Sequence, residues 1–219
     1  MPKLIPTKFS HWTKSSFPLS FVVLLGCLGL LALVGWLSQE VLEKETFGFD
    51  TTILLWLHQH SSSAIDNIML RLTNLGDPEF VVVIVTVSFS LLLWQKQVWA
   101  AQILFLNCLG GLILNQGLKL FFAKPRPHLW TPLIIEHSYS FPSGHALGSA
   151  VVYGFLAILL ASRYPHYRLG IFGGAVVIVS AIGLSRLFLG VHYPTDIIAG
   201  YAIGLIWLTT SIRILHLRP

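Results

Sequence analysis

Long apolar stretches, separated by short polar segments, dominate the pattern of this chain. Apolar runs of about 17–25 residues can cross the hydrocarbon core of a bilayer, roughly 30 Å thick, as helices. Candidate spans lie at about Leu19–Ser38, Glu79–Trp94, Val98–Phe122, His145–Ser162, Leu169–Leu187 and Pro194–Ile212. The pattern therefore predicts an all-α fold, an integral membrane bundle of six transmembrane helices, in a single domain over residues 1–219.

The connection between the first two spans is predicted to contain short interfacial helices. Apolar residues recur there at helical spacing between polar ones, as is typical of an amphipathic helix at a membrane surface. These apolar positions are Ile65, Ile68, Met69, Leu72 and Leu75. A second interfacial element is expected around Trp56. Two interpretations stay open: residues 51–75 form a lid over a site, or they only cap the bundle.

Composition places the chain in the membrane and excludes several classes of protein. Of its 219 residues, 54% are hydrophobic and 11% charged, whereas soluble domains carry about 25% charged residues. The net charge of +5 is modest, and no basic run is interleaved with aromatic residues, so a nucleic-acid partner is not expected. Cys27 and Cys108 both lie in apolar stretches, which argues against a disulfide framework or a zinc site.

The basic residues predict how the chain is oriented. The first apolar run is too long for the core of a signal peptide and is expected to be a retained span. With both termini cytoplasmic, the cytoplasmic segments would contain eight of the fourteen Lys and Arg residues, as the positive-inside rule favours. These eight are Lys3, Lys8, Lys14, Lys96, Arg163, Arg168, Arg213 and Arg218. The basic residues thus predict an integral membrane protein with both termini on the cytoplasmic side.

Three polar motifs interrupt the apolar pattern near the ends of spans. They are Lys119-x6-Arg126-Pro127, Pro142-Ser143-Gly144-His145 and Ser185-Arg186-x5-His192-x3-Asp196. An ionisable group in a span costs roughly 2.5–3.5 kcal/mol, so such groups usually serve a function. In the predicted topology all three motifs lie at one membrane face, which would be periplasmic or extracellular. Together they suggest a site for a tetrahedral anion.

The first two motifs have features that suit phosphate. Lys119 offers a localised positive charge, and Arg126 offers a planar guanidinium with five N–H donors. Ser143 is a plausible N-cap, Gly144 permits close backbone approach, and His145 would overhang a group bound at that helix N-terminus. The alternatives are ordinary charges flanking a span, and a capped turn with an incidental histidine.

The third motif contains a candidate nucleophile. Arg186 ends one span, and Asp196 follows His192 by four residues, so the carboxylate is expected to lie near the imidazole. A carboxylate that accepts from one ring nitrogen fixes the tautomer while the other nitrogen attacks. The alternative is an interfacial His–Asp pair that only holds two helices together.

In order, spacing and residue type, the motifs between Lys119 and Asp196 resemble those of the type 2 phosphatidic-acid phosphatase superfamily. The resemblance implies that His192 attacks phosphorus, that Asp196 orients it, and that His145 protonates the leaving group. It also implies that the phosphate is held by Lys119, Arg126, Ser143, Gly144 and Arg186. No metal and no cofactor are implied, because cationic side chains supply the charge stabilisation. Residues 1–40 match nothing specific.

The implied activity is that of a membrane lipid phosphatase working through a phosphohistidine. The expected partners are the bilayer and a lipid phosphate: phosphatidate, phosphatidylglycerophosphate or undecaprenyl pyrophosphate. Two alternatives stay open, a lipid phosphotransferase with the same intermediate and a non-catalytic lipid-binding or transport bundle. The motifs contact the phosphate rather than the tail, so they do not select a substrate, and they leave the oligomeric state open.

Overall fold

The computed structural model describes residues 17–43 and 47–216, which form eight α-helices and no strand. The helices are α1 (Phe17–Leu42), α2 (Gly48–Gln59), α3 (Ser63–Asn74), α4 (Pro78–Trp94), α5 (Val98–Phe122), α6 (Gly144–Arg163), α7 (Arg168–Phe188) and α8 (Pro194–His216). Four residues used in the orientation argument, Lys3, Lys8, Lys14 and Arg218, lie outside the described residues.

Among the described helices, α1, α5, α6, α7 and α8 are each long and apolar enough to cross a membrane. A sixth candidate span is counted, by length and composition, when α3 and α4, which meet at a bend of 42°, are taken together. Alone, the 17 residues of α4 would extend only about 26 Å. The all-helical membrane bundle predicted from the sequence is confirmed.

The structure keeps the break expected between the amphipathic segment and the second predicted span. Helices α3 and α4 are separate and are joined by the corner Leu75–Asp77, hereafter the α3–α4 corner. Asp77 is extended (ψ 145°) and Pro78 begins α4. Because proline has no N–H and blocks continuation of the preceding helix, the chain bends here instead of forming one straight helix.

Helix α6 is the centre of the bundle and packs against α5, α7 and α8. Its contact with α8 is close because Gly200 has no side chain: a Cβ there would lie 2.8 Å from the carbonyl oxygen of Ser143. Helix α1 packs against α8 and exposes most of its apolar side chains. Such an outward apolar face is what a lipid-facing helix requires.

The polar end of the bundle is the end where α5 and α7 finish and where α6 and α8 begin. Ala123 ends α5 in the left-handed conformation (φ 46°), and Ser143 caps α6 by accepting a hydrogen bond from the Ala146 N–H (3.4 Å). The loop of residues 123–143 lies between them. The α3–α4 corner and α2 also contact this end through His145 and Thr195, respectively.

Candidate active site

The loop of residues 123–143 gathers the first motif. Lys119 donates to the Ser138 hydroxyl (3.3 Å) and to the Tyr139 carbonyl. Arg126 donates through Nε to the Ser138 carbonyl (2.8 Å) and through Nη1 to the Val191 carbonyl (2.7 Å). These bonds fix the guanidinium between the loop and the turn that precedes α8.

His192 lies between a guanidinium and a carboxylate. Its Nδ1 is 3.3 Å from Oδ2 of Asp196, and its Nε2 is 3.2 Å from Nη1 of Arg126. With Nδ1–H donating to the carboxylate, Nε2 carries the lone pair and accepts from Arg126. Burial lowers the pKa of His192 well below its usual value; Asp196 opposes this, and Arg126 and Arg186 add to it. The neutral ring is the form that can act as a nucleophile.

The carboxylate of Asp196 is fully buried and has several donors. Oδ1 accepts from Lys124 Nζ (2.8 Å), and Oδ2 accepts from the Ser140 hydroxyl and from the backbone N–H of Tyr193 (2.9 Å). The ammonium of Lys124 also lies 4.5 Å from the centre of the Tyr193 ring. A buried charge requires partners of this kind, so Lys124 compensates Asp196.

A second buried carboxylate anchors the start of α8. Asp50, from α2, accepts from the backbone N–H of Thr195 (3.0 Å) and from its hydroxyl (2.7 Å). It therefore satisfies a free N–H at the N-terminus of α8, as a capping residue does. Burial raises the pKa of Asp50, and the bonds from Thr195 oppose that rise. Helix α2 thereby holds the turn that carries His192.

Glu136 connects the first motif to the third. Its carboxylate forms an ion pair with Arg186 and lies 3.7 Å from Nη2 of Arg126. Burial raises the pKa of Glu136, but the two guanidiniums and His145 outweigh that effect and hold it below its usual value. Arg186 also donates to the Thr73 hydroxyl (2.7 Å). An anionic group already occupies the space between the two arginines.

The second motif lies beside these groups. Nε2 of His145 is 2.8 Å from Oδ1 of Asp77, in the α3–α4 corner. The backbone N–H of Ser143 donates to the Asp196 carbonyl (3.0 Å), and a Cβ on Gly144 would lie 3.1 Å from Oδ1 of Asn115 and 3.9 Å from Lys119. These contacts connect the start of α6 with α5 and α8.

The eight residues selected from the sequence thus lie at the polar end of the bundle. Five of them share one contact network, and the other three begin α6 beside it. The five are Lys119, Arg126, Arg186, His192 and Asp196, and the three are Ser143, Gly144 and His145. Lys119 and Arg126 share Ser138; Arg126 contacts His192; Glu136 connects Arg126 with Arg186. The network combines a neutral imidazole with cationic donors suited to phosphate oxygens. The described residues include no group of three or more His, Cys, Asp or Glu side chains that could hold a metal ion.

Sequence reasoning missed the partners of the motif residues. The motifs assigned no role to Lys124 or to any acidic residue other than Asp196. These partners are Asp50, Thr73, Asp77, Asn115, Glu136 and Ser140. The available signal was that carboxylates and cations fall on one predicted membrane face, where pairing is favoured. His58, which belongs to none of the motifs, lies in α2 and stacks on Trp130 (4.2 Å between ring centres).

A family model described as the PAP2 superfamily matches residues 99–219. The match covers more than half of the chain, which therefore belongs to this superfamily, and the resemblance seen in the motifs is confirmed. The protein is a membrane phosphatase.

Named relatives and a solved structure agree with this assignment. The chain is 30% identical to phosphatidylglycerophosphatase B of Bacillus subtilis over 145 residues, which are 65% of this chain and 71% of the relative. It is 28% identical to an undecaprenyl-diphosphatase of Sulfolobus acidocaldarius over 168 residues, 74% and 76% of the two chains. The crystal structure of a PAP2-type phosphatidylglycerolphosphate phosphatase from Bacillus subtilis matches with a TM-score of 0.79 and 25% identity, covering 86% of this chain and 94% of that one.

The pairing of Lys124 with Asp196 predicts a loss of stability when the cation is removed. Lys124→Met leaves a buried carboxylate without its ammonium, so the free energy of unfolding should fall by about 3–5 kcal/mol. Chemical denaturation in detergent measures this change. Lys96→Met, in an exposed turn between α4 and α5, is the matched control. Equal stabilities of the two variants would contradict the prediction.

The position of Glu136 predicts that it competes with anions for the two arginines. Glu136→Gln removes the competing charge, so inhibition by orthovanadate should tighten about 3- to 10-fold, or roughly 0.7–1.4 kcal/mol. Inhibition constants at pH 7 measure the effect. Glu79→Gln, an exposed position in α4, should leave the constant unchanged. Weaker inhibition of the Glu136 variant would mean that Glu136 orients the arginines instead of competing for them.

Proposed function

We propose that this membrane phosphatase hydrolyses a phosphate monoester or pyrophosphate of a lipid through a phosphohistidine on His192. The observation that carries the proposal is the position of that imidazole, with Nδ1 3.3 Å from Asp196 and Nε2 3.2 Å from Arg126. The nitrogen with the lone pair is thus the one beside the anion-binding guanidinium. In an in-line displacement, Nε2 of His192 would attack phosphorus after Arg126 has exchanged its contact with that nitrogen for contacts with phosphate oxygens.

The cations of the network would hold the equatorial oxygens as charge redistributes in the transition state. Phosphoryl transfer depends mainly on positioning and on electrostatic stabilisation. Arg186 is 1% exposed, and its Nε is a buried donor with no hydrogen-bond partner among the described residues. Buried donors nearly always have partners. A phosphate oxygen that takes the place of the Glu136 carboxylate would be a suitable partner for Nε of Arg186. Lys119 and Arg126 would donate to the same phosphate.

His145 would supply the proton for the leaving group and would afterwards take one from the hydrolytic water. In this scheme Asp196 keeps His192 oriented and stabilises the ring when phosphorylation makes it positive. Ser143 and Gly144 would add donors at the N-terminus of α6, where the helix dipole favours an anion. No step in this scheme requires a metal ion.

The substrate class follows from the location of the network and from the relatives. The network lies at the end of apolar spans, so a substrate with lipid tails can keep them in the bilayer while its head group reaches the cations. The names phosphatidylglycerophosphatase B and undecaprenyl-diphosphatase point to phosphatidylglycerophosphate and undecaprenyl pyrophosphate as candidates. By the positive-inside argument, we place the site on the periplasmic or extracellular face of a bacterial plasma membrane.

Removal of the nucleophile should abolish the reaction. For His192→Ala in detergent micelles, phosphate release from phosphatidate, phosphatidylglycerophosphate and undecaprenyl pyrophosphate should fall by at least about 10³-fold. His166→Ala, exposed in the turn between α6 and α7, should retain the wild-type rate. Acid-quenched protein exposed to ³²P-labelled substrate should carry acid-labile label in the control and none in His192→Ala. Near wild-type turnover of His192→Ala would overturn the assignment of the nucleophile.

Chelation should not affect turnover. Because Lys and Arg side chains supply the positive charge in this scheme, phosphate release in millimolar EDTA should equal that in added magnesium. The comparison uses dialysed protein with one substrate in both buffers. Loss of activity in EDTA with recovery on addition of magnesium would contradict a metal-independent reaction.

A further inference from the structure

Asp77 contacts the candidate acid from outside all three motifs. Nε2 of His145 donates to its Oδ1 at 2.8 Å, across 68 residues of sequence. That hydrogen bond from His145 is the main reason that the pKa of Asp77 lies below its usual value. The carboxylate is therefore charged at neutral pH. Nδ1 of His145 has no hydrogen-bond partner among the described residues, and it is the ring nitrogen left to face a substrate.

The structure directs this carboxylate towards His145 rather than towards its own helix. Asp77 is the N-cap residue of α4, yet its side chain makes no capping hydrogen bond. Aspartate at an N-cap normally accepts from a free N–H of the first turn. Here Oδ1 accepts from His145. With the side-chain amide of Asn74 flipped into the orientation that satisfies its hydrogen bonds, its nitrogen lies 3.3 Å from Oδ2.

The α3–α4 corner is fixed around this contact. The Leu75 carbonyl accepts from the Tyr153 hydroxyl (2.6 Å). Gly76 permits the close approach of the imidazole, because a Cβ there would lie 2.8 Å from Cδ2 of His145. One turn earlier, Thr73 accepts from Arg186 (2.7 Å). The corner is thus attached to α6 and α7, so Asp77 is held at a defined place beside the ring.

We propose that Asp77 is a positioning residue for His145: it fixes the ring so that Nδ1 faces the leaving-group oxygen, and it stabilises the protonated ring. This inference rests on the proposed function, in which His145 is the proton donor. The charged groups around the ring are Asp77, Glu136 and Arg186. Burial is the largest influence on the ring of His145 and disfavours its protonated form; the two carboxylates oppose that effect, and Arg186 adds to it. Asp77 is the carboxylate in direct contact.

In the first step of the proposed reaction one bond to phosphorus forms, one breaks, and one proton moves. The lone pair on Nε2 of His192 forms the bond to phosphorus while the bond from phosphorus to the leaving oxygen breaks. The proton on Nδ1 of His145 moves to that oxygen, which departs as an alcohol or as a phosphate. His145 is then neutral and still donates through Nε2–H to Asp77. The negative charge of Asp77 stays in place throughout and favours the ring form that donates.

The test compares leaving groups that differ in their need for a proton. Alkoxides of lipid phosphates are strong bases and need protonation, whereas p-nitrophenolate leaves without it. For Asp77→Asn, kcat/KM for phosphatidate should fall on the order of 10²-fold. For p-nitrophenyl phosphate it should change by less than about threefold. The ratio kcat/KM reports only the steps up to departure of the leaving group. It therefore does not depend on the later hydrolysis, in which His145 would activate water.

Two further variants make the result decisive. Glu79→Gln, an exposed carboxylate two residues along the chain, should leave both constants unchanged. In a His145→Ala background, Asp77→Asn should cause no additional loss with phosphatidate, since its partner is gone. Equal losses for the two substrates would indicate a structural role and overturn the inference, as would no loss with either. Failure of His192→Ala to abolish turnover would instead overturn the proposed function itself.

Discussion

The buried carboxylate of Asp196 is the constraint on which the polar end of the bundle depends. A charge removed from water is tolerated only with partners close by. Lys124 and Ser140 come from the loop between α5 and α6, 72 and 56 residues away in the sequence, and His192 comes from the adjacent turn before α8. Asp50 holds the same turn from α2. Compensating one charge therefore determines where His192, the proposed nucleophile, lies.

The remaining charges at this end pair an internal carboxylate with the cations that are proposed to bind phosphate. Glu136 pairs with Arg186 and lies near Arg126. Two such cations with no counterion would repel each other and would carry a large desolvation cost. A carboxylate reduces both penalties, and because it carries one charge and has fewer acceptor oxygens than phosphate does, it can be displaced. His192 is 1% exposed, and in the proposed mechanism the same displacement would open it to the substrate.

Hydropathy and motif spacing predicted the elements that depend on local sequence. The limits expected for α5, Val98–Phe122, match the structure, and α8 begins at Pro194 as expected, because proline is favoured in a first helical turn. The break at the α3–α4 corner also lies where it was expected, between the amphipathic segment that ends at Leu75 and the span that begins at about Glu79, but the contacts of this corner were not predicted. The partners Glu136 and Asp77 were not predicted either. They lie 50 and 68 residues from Arg186 and His145 in the sequence, and only the fold brings them together.

The two histidines of the site differ in their surroundings, and the proposed mechanism gives them different roles. His192 is enclosed, and burial together with two guanidiniums lowers its pKa, so the neutral ring is favoured. Burial disfavours the protonated form of His145 as well, but the hydrogen bond to Asp77, a carboxylate partly exposed to water, opposes that effect. A nucleophile must be neutral and a proton donor must be protonated. In the proposed mechanism the contact with Asp77 is therefore what favours a protonated His145, while Arg126, in direct contact with Nε2 of His192, disfavours protonation there.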